Sequence, residues 1–334
     1  MKRANKLFDH IADPENLRLA YWKAAIGKRY ASEVLAYGKQ LDANLRLLRA
    51  QLLSGQVEVG DYRFFKVYEP KERQICASAF REQVLHHALM NICHEHFERV
   101  QIFDSYASRK GKGSYAALTR ARKFAQAHPW FLKLDVRKFF ESVHHPVVKE
   151  QLARMFKEPA LLDVFGQIID SYQAHPARGL PIGNLTSQYF ANHYLVGLDH
   201  FIQEKLRPGA YVRYMDDMVL WHADKQALKT AFHAIRDYVE TRLHCQLKPE
   251  LLNRCTLGLP FLGYRIFPHQ LRLTHSSKIR FVRKMQQIEA NYHEGIWDEN
   301  ECQRRACALL AFISHADTAL FRKSLYLPHK GLSS

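Results

Sequence analysis

Apolar positions recur along this chain with two different periods, and the changes between them mark out its elements. Up to Gly55 the spacing is helical: Leu41, Leu45, Leu48 and Leu52 form one stripe that stops at the glycine, and amphipathic helix is expected from the first turn. DYRFFKVYEPKERQICA (Asp61 to Ala77) reads as two strands joined by a Glu-Pro-Lys-Glu turn. Helix is expected next, to about Val100, and then a loop broken by glycines, SYASRKGKGSYAAL (Ser105 to Leu118). WFLKLDVRKFFESV (Trp130 to Val143) reads as the end of a buried strand, a tight turn and two phenylalanines, with helix following to about Tyr172. Gly179 to Ile202 is a loop leading into a long apolar helix. YVRYMDDMVLW (Tyr211 to Trp221) places two short apolar runs around an acidic pair, the pattern of a buried hairpin. A helix over 225 to 243 and two short strands in LPFLGYRIF (Leu259 to Phe267) come next. In the helical remainder Ile279, Val282, Met285 and Ile288 form the stripe, with Lys278, Arg280, Arg283 and Lys284 off it. Strands and helices interleave without a βαβ rhythm, so the expected class is α+β.

Composition adds a partner to this outline. The 334 residues suffice for a large core in two or three subdomains, and 47% hydrophobic content makes the chain globular. Its 49 Lys and Arg against 33 Asp and Glu give a net charge of +16, which calls for a polyanion. A membrane surface is the competing polyanion, but no apolar run approaches the roughly 20 residues of a spanning helix and no signal peptide opens the chain. No membrane association is therefore expected. Cys76, Cys93, Cys245, Cys255, Cys302 and Cys307 lack CxxC spacing and read as reduced, mostly buried thiols of a cytosolic protein. His86, His87, Cys93, His94 and His96 are zinc-ligand types without zinc spacing, which favours a helix with core-facing Leu85, Leu89, Ile92 and Phe97 and histidines at its edges.

The candidate chemistry lies in the acidic residues. Adjacent Asp216 and Asp217 repel, and burial costs them several kcal/mol unless cations or donors satisfy them. By itself the pair fits either an exposed Asp-rich turn or a divalent-metal site at the tip of a buried hairpin. Asp135 ends an earlier strand by about 80 residues, and an antiparallel sheet would gather the three carboxylates at one spot. Such a cluster suits two Mg²⁺ ions and in-line phosphoryl displacement, and with the positive charge it points to nucleotidyl transfer on a nucleic acid. The cations of the first hairpin (Arg63, Lys66, Lys71, Arg73) fit a solvated edge as well as a phosphate grip. The Ser105 to Leu118 loop fits a phosphate cradle or a flexible connection.

In this order the motifs resemble those of reverse transcriptases, over nearly the whole chain. The resemblance implies a right-hand polymerase fold: an N-terminal helical region over 1–55, fingers over 56–130, a palm over 131–264 with a fingers-like insertion around 144–180, and a helical thumb over 265–334. It implies catalysis by Asp135, Asp216 and Asp217, with two Mg²⁺ (Mn²⁺ as substitute) held by these and the Val136 carbonyl. Lys66, Arg73, Ile182, Gly183 and Gln188 would line the dNTP site, with Phe140 as the gate against a ribose 2′-hydroxyl. Phe261, Leu262, Gly263 and Tyr264 resemble the primer grip, and SYASRKG the family's Tyr-x-x-Arg-x-Gly segment. Lys71, Arg109, Lys278, Arg283 and Lys284 would contact the template RNA and the primer–template duplex. Ile182 and Gln188 stand where most of the family has Gln and Pro, which is similar to the diversity-generating retroelement branch. That branch copies a template-repeat RNA with errors opposite adenine, works with a small helical accessory protein, and is encoded by bacteria, archaea or phage, which implies a cytoplasmic enzyme. A retron-like or defence-associated enzyme and a catalytically silent RNA-binding protein are the alternatives. QLKPELLNRC matches the family's fourth palm motif poorly and leaves the role of Lys248 open.

Overall fold

A computed structural model describes residues 3–68 and 72–326 of the chain. The expected phosphate contact Lys71, with the Glu-Pro part of its turn, lies outside the described residues. Helices α1 (Phe8–Ile11) and α2 (Pro14–Ala24) are separate rather than one helix from the first turn. The Asp13 side chain accepts from the Glu15 and Asn16 N–H groups, and Pro14 takes a first-turn position where its missing N–H costs nothing. After α3 (Ser32–Lys39), α4 (Leu41–Ser54) buries Leu45, Leu48 and Leu52 and stops at Gly55, whose φ of 73° is left-handed. Strands β1 (Tyr62–Val67) and β2 (Arg73–Ser78) pair antiparallel, Tyr62 opposite Ser78 and Val67 opposite Arg73, and α5 (Phe80–Val100) follows.

Next come α6 (Ser114–Ala127), β3 (Trp130–Asp135), α7 (Phe139–Ser142), α8 (His145–Met155), α9 (Pro159–Asp170), α10 (Leu185–Tyr194) and α11 (Val196–Phe201). Strands β4 (Ala210–Tyr214) and β5 (Asp217–His222) form the second hairpin, before α12 (Lys225–Thr241). The carboxy-terminal part contains β6 (Leu251–Arg254), β7 (Leu259–Phe261), β8 (Tyr264–Ile266), β9 (Leu271–Leu273), α13 (His275–His293), α14 (Glu299–Ser314) and α15 (Ala319–Tyr326).

These elements divide into two compact units, Met1–Arg109 with Asp135–Leu206 and His233–Lys248, and Lys110–Leu134 with Arg207–Phe232 and Pro249–Ser334. In the first, α5 packs against α2 and α10, and Phe97, Phe156, Phe165 and Phe190 form an aromatic core with centroids 5.3–6.4 Å apart. In the second, one sheet runs β4-β5-β3-β6 and another β7-β8-β9. Helix α6 packs against β4, and its Phe124 meets the fully buried Trp221 of β5 at 5.5 Å.

Two strands escaped the pattern reading. β6 pairs with β3, Trp130 opposite Arg254, but as an edge strand with no fully buried residue it carries no period-2 signal. β9 is three residues long. The α13 stripe holds in part: Ile288 is buried as expected and Val282 and Met285 are half-buried, but Ile279 faces out and Ser277 and Phe281 are buried in its stead. Among the described residues no helix is long and apolar enough to cross a membrane.

Candidate active site

The β4–β5 register sets Tyr214 opposite Asp217, so the two turn residues are Met215 and Asp216 rather than the two aspartates. Met215 takes the left-handed φ, 54°, that a two-residue hairpin turn requires. Arg213, fully buried on β4, donates from Nη1 to the Met215 carbonyl at 3.1 Å and ties the turn to its own strand. Asp217 opens β5, and its Oδ2 lies 3.0 Å from Lys133 Nζ, both side chains about one-fifth exposed. Lys133 also donates to the Pro260 carbonyl at 2.9 Å and stands 5.9 Å over the Phe261 ring. Sequence reading missed both cations. The signal for Lys133 was one charge inside the otherwise apolar run WFLKL.

Asp135 has a lysine of its own, within the first unit. Lys248 Nζ donates to Asp135 Oδ1 at 2.5 Å, while the Lys248 N–H donates to the Asp135 carbonyl at 2.8 Å and the Arg137 N–H to the Gln246 carbonyl at 2.7 Å. These bonds flank an antiparallel bridge between Val136 and Leu247 and make no use of the Val136 carbonyl. The segment that matched its expected motif poorly thus places Lys248 on the first candidate carboxylate.

Among the described residues no group of three or more His, Cys, Asp or Glu side chains is placed to hold a metal ion. Within each unit a lysine sits on the candidate carboxylate, Lys248 on Asp135 and Lys133 on Asp217. The donor chemistry still fits Mg²⁺, which takes hard oxygen ligands, binds through one or two carboxylates and completes its shell with water and substrate phosphates.

The nucleotide-side candidates group in the first unit. A cavity of about 760 Å³ is lined by Tyr62, Arg73, Gln74, Lys138, Tyr172 and Ile182, among others. The Ile182 carbonyl accepts the Cys76 N–H at 2.8 Å. Gly183 has φ +127°, and a Cβ there would stand 2.8 Å from the Cys76 carbonyl, so only glycine lets the loop approach β2. Burial, with Cys76 beside it, pushes the Tyr172 phenol up to about 12, leaving it protonated at the cavity wall. Phe139 and Phe140 lie on the short helix α7, not on extended chain. Phe139 is buried against Tyr194, and Phe140 is half-buried and does not line this cavity. Lys66 pairs with Glu72 at 2.6 Å across the first hairpin. Gln188 accepts from Ser108 Oγ at 2.9 Å.

Several expected nucleic-acid contacts have structural employment. Arg109 is the clearest case. Its guanidinium is 9% exposed and makes four hydrogen bonds, two to Glu98 Oε1 and one each to the Ile102 and Ser105 carbonyls, so it staples its loop to α5. Lys278 stands 5.4 Å over the Phe321 ring. On α13, Arg283 is exposed and Lys284 half-buried. In the Phe261 to Tyr264 segment, Leu262 and Gly263 form a two-residue turn with φ of 50° and 86°. The Gly263 carbonyl there accepts from Thr274 and Ser277 at the start of α13. Tyr264 donates to the Phe312 carbonyl at 2.7 Å. His86 is not at the edge of α5 but buried, at 1% exposure. His94 meets the Tyr189 hydroxyl at 2.9 Å.

An antiparallel sheet with an acidic two-residue turn, among helices, is the layout of the palm of a right-hand polymerase. The profile described as "Reverse transcriptase (RNA-dependent DNA polymerase)" matches residues 69–266, and the chain belongs to that family. It is similar to the putative COX1/OXI3 intron 1 protein of Saccharomyces cerevisiae, 22% identical over 169 residues, covering 48% of this chain and 20% of that protein. The putative COX1/OXI3 intron 2 protein of the same yeast is 19% identical over 132 residues, 37% of this chain and 16% of the relative. The chain thus spans a fifth or less of the curated relatives it matches. Among solved structures, telomerase from Candida tropicalis with a TWJ fragment of telomeric RNA superposes with a TM-score of 0.50 at 13% identity, over 83% of this chain and 56% of that one. The apo form of that telomerase gives 0.50 at 12% identity, over 72% and 54%. At such identity the likeness concerns the fold alone.

Proposed function

We propose that the chain is an RNA-directed DNA polymerase that makes error-prone cDNA from a template-repeat RNA, as a diversity-generating retroelement enzyme does. The observation that carries the polymerase reading is the family match over 69–266, which contains Asp135, Asp216 and Asp217. On this reading those carboxylates and the Val136 carbonyl hold two Mg²⁺, with Mn²⁺ as substitute. When bound, the ions supply charge stabilisation for in-line displacement at the α-phosphate of a dNTP. Lys133 and Lys248 each offset the charge of one carboxylate, Asp217 and Asp135. Lys66 and Arg73 face the triphosphate, Gly183 brings its loop against β2, and Phe140 meets the sugar. Phe261 to Tyr264 support the primer end, and Lys278, Arg283 and Lys284 the duplex backbone.

Two substitutions support the retroelement branch: Ile182 and Gln188, at positions where most of the family has Gln and Pro. The reading includes a small helical accessory protein as partner. The likeness to two yeast intron proteins favours a second reading, in which the same chemistry copies a different RNA. One experiment addresses both. Purified protein, with and without a co-expressed accessory protein, is given primed RNA, dNTPs and Mg²⁺, and the cDNA is sequenced. Extension that Asp135→Asn abolishes, with errors concentrated opposite adenine, is the expected result. Extension with evenly spread errors supports the second reading, and none under any condition defeats the polymerase reading.

A further inference from the structure

The root of the β1–β2 hairpin contains an ionisable pair that the proposed chemistry does not use. Glu82 and His86, one turn apart on α5, are each 1% exposed, with Glu82 Oε1 3.4 Å from His86 Nε2. Among the described residues, Glu82 Oε1 and both ring nitrogens of His86 have no hydrogen-bond partner by distance and angle. Burying such groups costs stability, and their presence asks for a reason.

The other carboxylate oxygen gives one. Glu82 is the third residue of α5, where a carboxylate commonly turns back to its own cap. Here Oε2 instead accepts the Gly60 N–H at 3.0 Å, 22 residues earlier in the chain, where the hairpin begins. The Ala79 N–H donates to the Asp61 carbonyl at 3.0 Å, so the entering and leaving chains are tied together at the helix N-terminus. A second bond fixes the same root to the end of α9: the Tyr62 hydroxyl lies 2.7 Å from Ser171 Oγ. Gly60 has φ +95°, and a Cβ there would lie 3.3 Å from the Ser171 Cβ, so the contact is close on this side too. Burial and the adjacent Glu82 carboxylate push the Tyr62 phenol up, which keeps its proton available for Ser171.

Beyond this root five of the six β1 residues are exposed, along with Arg73 and Gln74 on β2, and the Cys76 N–H to Ile182 carbonyl bond ties β2 to the neighbouring loop. Arg73 and Gln74 form one wall of the 760 Å³ cavity, while Lys138, Tyr172 and Ile182 stand on the other. The angle at which the root is held therefore sets the width of that cavity. We infer that Glu82 is a positioning residue: by holding Gly60 it fixes the hairpin over the cavity and so sets the affinity for the incoming nucleotide. This rests on the cavity being the nucleotide site of the polymerase reading.

The test is steady-state incorporation of one deoxynucleoside triphosphate on primed RNA, together with amide hydrogen exchange over 60–68 and 72–79. Glu82→Ala should raise KM about tenfold while kcat falls less, because a misplaced wall weakens binding before it alters chemistry. Exchange of the hairpin amides should rise in the same protein. Glu82→Gln, which keeps an acceptor for Gly60, should restore most of both. If Glu82→Ala fails to fold, Ser171→Ala loosens the same root from the other side and should move KM and exchange in the same direction. Unchanged exchange in the hairpin overturns the tether whether or not the protein polymerises. Raised exchange with an unchanged KM overturns its link to the nucleotide. A wild-type protein that adds no nucleotide but shows the exchange effect leaves the tether standing and removes the polymerase reading instead.

Discussion

The β1–β2 and β4–β5 hairpins are each built from antiparallel strands of five or six residues, yet their surroundings are opposite. In β5, Met218 to Trp221 are completely buried, and β3 supports the strand on one side. In β1, Phe64 and Phe65 are half exposed, and the hairpin is a two-stranded sheet by itself. A lone pair of strands is marginal in water, whereas a hairpin within a larger sheet shares the stability of the core. One hairpin thus sets its acidic turn on buried strands of a larger sheet, and the other presents cations and aromatic rings from exposed ones.

The sharpest way to break this comparison is to truncate one large side chain in each. Trp221→Ala removes a fully buried ring and should cost about 3–5 kcal/mol, read as the denaturant midpoint. Phe65→Ala, at 50% exposure, should change stability by no more than about 0.5 kcal/mol. Similar losses from both would mean that the hairpins are equally integrated. A smaller effect sharpens the view of the buried one. Lys133→Met removes the 3.0 Å ion pair to Asp217 and should destabilise by about 1–3 kcal/mol, with millimolar Mg²⁺ recovering part of the loss in melting temperature. A difference from wild type that Mg²⁺ leaves untouched would separate Asp217 from metal binding.

The smallest expected effect concerns the loop that joins β2 through Cys76. Ile182 offers bulk but no hydrogen bond, and one polar contact is worth about 1 kcal/mol net, enough to alter discrimination several-fold. Ile182→Gln should therefore lower misincorporation, most visibly opposite template adenine, with extension largely kept. Equal error spectra from both enzymes on one template would assign Ile182 to packing alone.

How much of this was legible depended on what each residue answers to. The helix α5 ends at Val100 as its periodicity implied, and both hairpins were visible because β-branched and aromatic runs flank their turns. The turn of the second hairpin was misplaced by one residue, since Met215 gives no local sign of accepting a left-handed φ that register imposes. Arg109 looked like a phosphate ligand because a glycine-rich loop with cations has that appearance. Its burial depends on Glu98, on a neighbouring helix, which no local pattern reveals. Lys133, and the partner of Lys248, were hidden for the same reason: the paired carboxylates are 84 and 113 residues away.

The distribution of thiols has a practical consequence. Cys76, Cys93, Cys245 and Cys255 are buried, whereas Cys302 is partly covered and Cys307 exposed, and these last two lie on α14. A maleimide dye added to the unmodified chain would attach to that helix first, with the buried sulfurs shielded by packing. The protein thus carries its own attachment point for fluorescence, and replacing Cys302 with serine would leave a single label with which to follow the carboxy-terminal helices as nucleic acid is added.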